Sequence, residues 1–173
     1  MQEHEIRQQL EELHSASFGW ALSCCAGNRE EAEDVLQATY LKILSGKARF
    51  GGRSAFKTWL FSVIRLTAAD GRRKHAIRWS GLRRLREQAP QPSSTPSRAV
   101  QEVHREELRD RFRALLRDLP GRQRQVIQLV FYHDHTLSEA AGVMGVSLGS
   151  ARTHYHRGKK RLRDWLQEQA GDA

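Results

Sequence analysis

The chain has 173 residues, room for one domain of usual size or two small ones, and its 39% hydrophobic content excludes a wholly disordered protein. Lys and Arg outnumber Asp and Glu 29 to 20, giving a net charge of +9 and an isoelectric point near 10.2. That balance predicts a polyanionic partner, either nucleic acid or an anionic membrane surface. No apolar run reaches the roughly 18 residues of a membrane helix, and no basic-then-apolar leader opens the chain. A cytoplasmic protein without membrane insertion is therefore expected.

Ile6, Leu10 and Leu13 share one helical face. Cys24 and Cys25 are adjacent, a poor geometry for a disulfide, and they lack the spacing of zinc ligands. They read as small apolar fillers of a helix. Asn28 with Glu31 three residues on has the form of a capping box and predicts a helix start. The stripe that follows is Ala32, Val35, Leu36, Thr39, Tyr40 and Ile43. Gly46 and Gly51-Gly52 interrupt it. Ser54 is a candidate cap for the next helix, whose stripe is Phe56, Trp59, Leu60, Val63, Ile64 and Thr67. This helix runs into GRRKHAIRWSGLRRLR, where seven Arg or Lys and no acid stand between Arg72 and Arg86.

Residues 88–98, QAPQPSSTPSR, hold three of the four prolines and read as a flexible linker. Eleven residues reach at most about 35 Å. The linker divides residues 1–87 from 99–173. Beyond it, Leu108, Phe112, Leu115 and Leu119 mark a helix that ends at Pro120-Gly121. Val126, Ile127, Val130 and Phe131 mark the next. Thr136 and Glu139 form a second capping box, opening a short helix to about Met144. Neither half sustains a period of two. The predicted fold is all-α: two small helical domains joined by a flexible linker.

Gly145-Val146-Ser147 is the turn before the last helix, with Ser147 as its cap. A helix-turn-helix needs a small residue where its helices cross and usually a glycine in the turn. Ala141 and Gly145 meet those needs, and Val146 supplies an apolar plug. In the last helix Ala151, Tyr155, Gly158, Leu162 and Trp165 share one face. Gly149, Ser150, Arg152, Thr153, His156 and Arg157 point the other way, in the half that a recognition helix presents to base edges. Arg152 and Arg157 suit guanine, and Thr153 suits a thymine methyl. Lys159, Lys160, Arg161 and Arg163 are placed for phosphates.

A metal reading rests on His133, His135, His154 and His156. The last two stand two residues apart, so on a helix they point about 200° apart and cannot share an ion. No nucleophile, triad, phosphate loop, metal or cofactor site is expected, and so no enzyme. A metal-dependent nucleic-acid enzyme would need carboxylates or histidines clustered on one face.

The segments NREEAEDVLQATYLKI, FGGRSAFKTWLFSVIR and LPGRQRQVIQLVFYHDHTLSEAAGVMGVSLGSARTHYHRGKKRLR, in this order across a Pro/Ser linker, resemble a bacterial sigma factor. They are similar to the extracytoplasmic-function (ECF) group of the sigma-70 family, which keeps regions 2 and 4. The resemblance implies that residues 1–87 are region 2, which binds core RNA polymerase and recognises and melts the minus-10 element. It implies that residues 99–173 are region 4, which reads the minus-35 element. Glu30, Asp34, Gln37 and Leu41 lie opposite the apolar stripe of their helix, where relatives dock a coiled coil of the polymerase. Asp34 and Gln37 stand at matching positions; Ala38 stands where an acid is often found.

For the minus-10 element the resemblance implies Trp59, Arg65, Arg72, Arg73 and Lys74, with Trp59 serving either the core or strand melting. Leu66 occupies a position that is Asn in many relatives, so no minus-10 sequence preference is carried over. For the minus-35 element the candidates are Ser150, Arg152, Thr153, His156, Arg157 and Lys160. Promoter DNA, core polymerase and an anti-sigma factor are the implied partners. The competing assignment is a stand-alone helix-turn-helix regulator, which would carry a sensor in its first half.

Overall fold

The structure, a computed structural model, describes residues 2–82, 114–116 and 118–171. The expected linker, Leu108 and Phe112 lie outside these residues. Among the described residues there is no strand; residues 114–116 and 118 are helical, and the remaining helices are α1 (Glu3–Glu12), α2 (His14–Cys24), α3 (Arg29–Leu44), α4 (Phe56–Leu82), α5 (Gly121–Phe131), α6 (Leu137–Met144) and α7 (Leu148–Gly171).

Leu13 joins α1 to α2, a helix that periodicity alone does not separate. Its sequence, HSASFGWALSC, has no polar stripe. It buries Ser17, Trp20, Ala21 and Cys24 between its neighbours. At the start of α3, Asn28 Oδ1 accepts a bond from the Glu31 N–H at 3.2 Å, so the Asn28 half of the expected box forms. α3 buries Ala32, Leu36, Thr39 and Ile43. The buried Thr39 hydroxyl is satisfied within its own helix, donating to the Val35 carbonyl at 2.7 Å. Ser54 does not cap α4. Its hydroxyl donates to the Ala55 carbonyl at 3.2 Å, and the helix begins at Phe56.

α4 is covered on two sides. Phe56, Leu60, Ile64 and Thr67 are buried as the stripe predicts, but so are Phe61 and Ala68. One side of α4 meets α2 and α3, and the other meets α6. Trp20 stacks on Phe61 with ring centroids 5.7 Å apart, and its indole N–H donates to the Phe61 carbonyl at 2.9 Å. That bond satisfies a fully buried polar group at the centre of the molecule. The core runs without a break from Leu10, Trp20, Leu36 and Phe61 to Val126, Leu129, Val143 and Met144. A smaller cluster of Leu116, Leu119 and Ile127 packs beneath Tyr155 and Leu162.

Phe131 corrects the expected stripe of α5: it is exposed, whereas Leu129 is fully buried. α5 presents Val126 and Leu129 to the core shared with the first unit and Ile127 to the cluster below α7. Its buried surface is therefore rotated away from Phe131. Both bonds of the Thr136–Glu139 box form, at 3.2 Å to the Glu139 N–H and 2.8 Å from the Thr136 N–H.

Candidate nucleic-acid and protein-docking surfaces

α6 ends at Gly145, whose φ of 65° is left-handed, the conformation that a glycine adopts without steric cost. The chain then reverses, with the Val146 N–H on the Ala141 carbonyl at 3.1 Å. Ser147 caps α7 as expected, accepting from the Ser150 N–H at 3.1 Å. Ala151 and Gly158 are buried, and Tyr155, Leu162 and Trp165 are half-buried. Gly158 is the crossing point of α7 over α5: a Cβ there would stand 3.0 Å from Ile127 Cγ1.

This packing leaves Gly149, Ser150, Arg152, Thr153, His156, Arg157 and Lys160 exposed on one side of α7. The Thr153 hydroxyl is occupied by the Gly149 carbonyl at 3.0 Å, so its methyl is the group left for an outside contact. Lys159 lies over the Tyr155 ring at 5.7 Å, and Tyr155 stacks on the exposed Phe131. The surface is cationic and presents forked donors, which suits phosphates and guanine edges.

The minus-10 candidates are more engaged. Trp59 is half-buried in an aromatic cluster, 5.4 Å from Phe50 and 5.3 Å from Phe56 between centroids. Arg65 is half-buried and donates from Nε to the Val143 carbonyl at 2.6 Å. Arg122 donates to the adjacent Met144 carbonyl at 3.0 Å. Two cations thus meet the last turn of α6, where unpaired carbonyls concentrate negative charge. Arg72 donates to the Cys24 carbonyl at 2.6 Å, and Arg73 pairs with Asp70 at 2.9 Å. The Lys74 side chain lies outside the described residues. Leu66 is about half exposed on the same helix.

On α3 the structure brings Glu30, Asp34, Gln37 and Leu41 together as one exposed stripe. Leu44, 43% exposed, extends it by one further step of three. The stripe borders a groove lined by His14, Phe18, Arg29, Leu36, Gln37 and Tyr40, with the Arg29 guanidinium 5.4 Å over the Phe18 ring. An exposed leucine amid acids and amides beside an aromatic groove is suited to burial against a basic helical partner.

Cys24 and Cys25 are free and buried. Burial, chiefly, pushes the Cys24 thiol up to about 12, and burial likewise raises Cys25. Among the described residues, no three His, Cys, Asp or Glu side chains converge as metal ligands, and no helix is long and apolar enough to cross a membrane.

Fold and surfaces together define an all-helical DNA-binding protein of the helix-turn-helix class. Residues 10–77 match Sigma-70 region 2, and residues 115–164 match Sigma-70, region 4. The chain is 31% identical over 148 residues to the ECF RNA polymerase sigma factor SigX of Bacillus subtilis, covering 81% of this chain and 73% of SigX. It is 27% identical over 168 residues to the ECF RNA polymerase sigma factor SigE of Mycolicibacterium smegmatis, covering 96% of this chain. It spans 62% of the length of that SigE. Among solved structures, the sigma factor RpoE in complex with the anti-sigma factor NepR from Bartonella quintana aligns with a TM-score of 0.71 at 24% identity, covering 94% of this chain and 97% of RpoE. CnrH, in complex with the cytosolic domain of CnrY, aligns at 0.61 with 22% identity, covering 93% of this chain and 87% of CnrH. Both share the fold. The chain belongs to the ECF sigma factors of the sigma-70 family, non-enzymatic factors of transcription initiation. The region 2 match sets aside the stand-alone regulator.

Proposed function

We propose that this chain directs core RNA polymerase to promoters with two elements and assists strand separation in the cytoplasm. The observation that carries the reading is the exposed face of α7, with Arg152, Thr153, His156 and Arg157 outward from a capped, glycine-turned helix pair. This face reads the minus-35 element in the major groove, while Lys160 holds phosphate. The α3 stripe of Glu30, Asp34, Gln37 and Leu41 docks on the polymerase. Trp59, Arg65, Arg72, Arg73 and Lys74 serve the minus-10 element, where unpaired bases need aromatic surface and the strands need cations. An anti-sigma factor is the expected regulator, because the structural neighbour RpoE is held in complex with the anti-sigma factor NepR.

The test is transcription by purified core polymerase with and without this chain on a promoter library. Start sites that appear only with the chain support the reading; identical initiation in both refutes it. Asp34→Lys is expected to weaken assembly with the polymerase while the full chain keeps its helicity and its DNA affinity. Unchanged assembly would remove the α3 contact.

A further inference from the structure

His133 and His135, in the loop between α5 and α6, belong to none of the surfaces described above, yet both are buried where the two units meet. The His133 ring lies at 83° to Phe61, centroid to centroid 4.9 Å, and at 83° to Trp20 at 6.0 Å. α2 passes so near that a Cβ on Gly19 would touch His133 Cε1 at 3.7 Å. His135 lies 5.1 Å from the same Phe61 and is 5% exposed. The loop is tied to α4 by Lys57, whose ammonium donates to the His133 carbonyl at 2.6 Å. Arg65 on Val143 and Ser23 with Gln128 are further ties across the seam.

Among the described residues, the charged groups near this pair are few. α4 brings Lys57, α6 brings Glu139, and the loop itself brings Asp134. α2 brings the Trp20 ring. Burial, then Lys57 and His135, pushes His133 down to about 4, against the pull of Asp134. Burial, then Lys57, also lowers His135, against Glu139 and the nearby carbonyls of His133 and Leu129. A second proton on either ring would add a buried positive charge beside an ammonium, among aromatic rings.

We propose that the seam is an acid-releasable latch: neutral His133 and His135 hold the two helical units closed, and protonation parts them and uncovers Arg65 on α4. The sign follows from linkage. The parted form binds protons at the ordinary histidine value, and the closed form binds them only at lower pH. Closure is therefore fully favoured above the ordinary value and is lost as pH falls through it toward the folded value. Each histidine changes the ratio of closed to parted chain by up to about tenfold per pH unit in that window. The functional consequence rests on the assignment of α4 to promoter DNA. The parting itself is measured without DNA or polymerase, so the two can fail separately.

The experiment records the radius of gyration by small-angle scattering, and helicity by circular dichroism, on the full chain from about pH 7.5 to about pH 5. The chain is expected to expand on acidification with its helicity unchanged. The double variant His133→Phe, His135→Leu is expected to stay compact throughout. Arg65→Gln, which loses one tie, is expected to expand at a higher pH than the natural chain. A chain whose size does not respond to pH overturns the latch, as does expansion that tracks loss of helix. So does a double variant that expands like the natural chain. If the double variant does not fold, Arg65→Gln expanding at the unaltered pH overturns it instead.

Discussion

Gly142→Ala and Gly158→Ala make one chemical change on the two helices of the helix-turn-helix, and the structure predicts opposite outcomes. A Cβ at Gly142 meets nothing within 4 Å, so alanine there gains up to about 1 kcal/mol in helix propensity. At Gly158 the same gain is opposed by contacts at 3.0 Å to Ile127 Cγ1, 3.4 Å to Ile127 Cδ1 and 3.5 Å to Gln123 Cβ. Ile127 is 1% exposed and enclosed by Leu116 and Leu119, so it cannot swing into solvent. Overpacking of this kind costs about 1–3 kcal/mol. Propensity cancels between the two variants, so their stabilities should differ by that packing cost. In a chain of this size each kcal/mol moves Tm by about 2–4 °C. Thermal and urea unfolding of the full chain, followed by circular dichroism, measures both. Equal stabilisation by the two substitutions would refute the close crossing of α5 and α7.

Arg152→Ala or Arg157→Ala should cost about 1–3 kcal/mol on the correct minus-35 duplex and less on scrambled DNA; fluorescence anisotropy with both duplexes decides, and equal losses would reduce these residues to phosphate contacts. The Cys24 thiol, held at about 12 chiefly by burial, should resist alkylation in mildly alkaline buffer until urea unfolds the chain. Rapid labelling of Cys24 in the folded chain, read by mass spectrometry, would contradict its buried placement.

The parts of the fold legible in the sequence are those fixed by local chemistry. The Thr136–Glu139 box, the Gly145 turn, the Ser147 cap and the two-sided character of α7 all depend on residues within one or two turns of each other. Ser54 looked equally like a cap, but its hydroxyl bonds the neighbouring carbonyl instead. α2 has no polar face to give it a period, because Trp20 and Ala21 are wholly enclosed. Phe61 and Leu129 escape the stripes for a related reason. A single apolar stripe predicts one buried side, whereas α4 and α5 each bury two. The exposed residues of α3 and α7 followed from periodicity. The engagement of Arg65 and Arg72 did not, since their carbonyl partners are 78 and 48 residues away along the chain.

Gly145 has a neighbour that its role as a turn does not require: the Arg65 Nη2 atom stands 3.1 Å from where a Cβ would lie. Any other residue there would meet two penalties, a left-handed backbone and a displaced guanidinium. The corner that sets the pitch of the helix-turn-helix is thus also a socket for a side chain from the opposite half. A hybrid that keeps this second half but takes a first half without an arginine at position 65 leaves that socket unfilled.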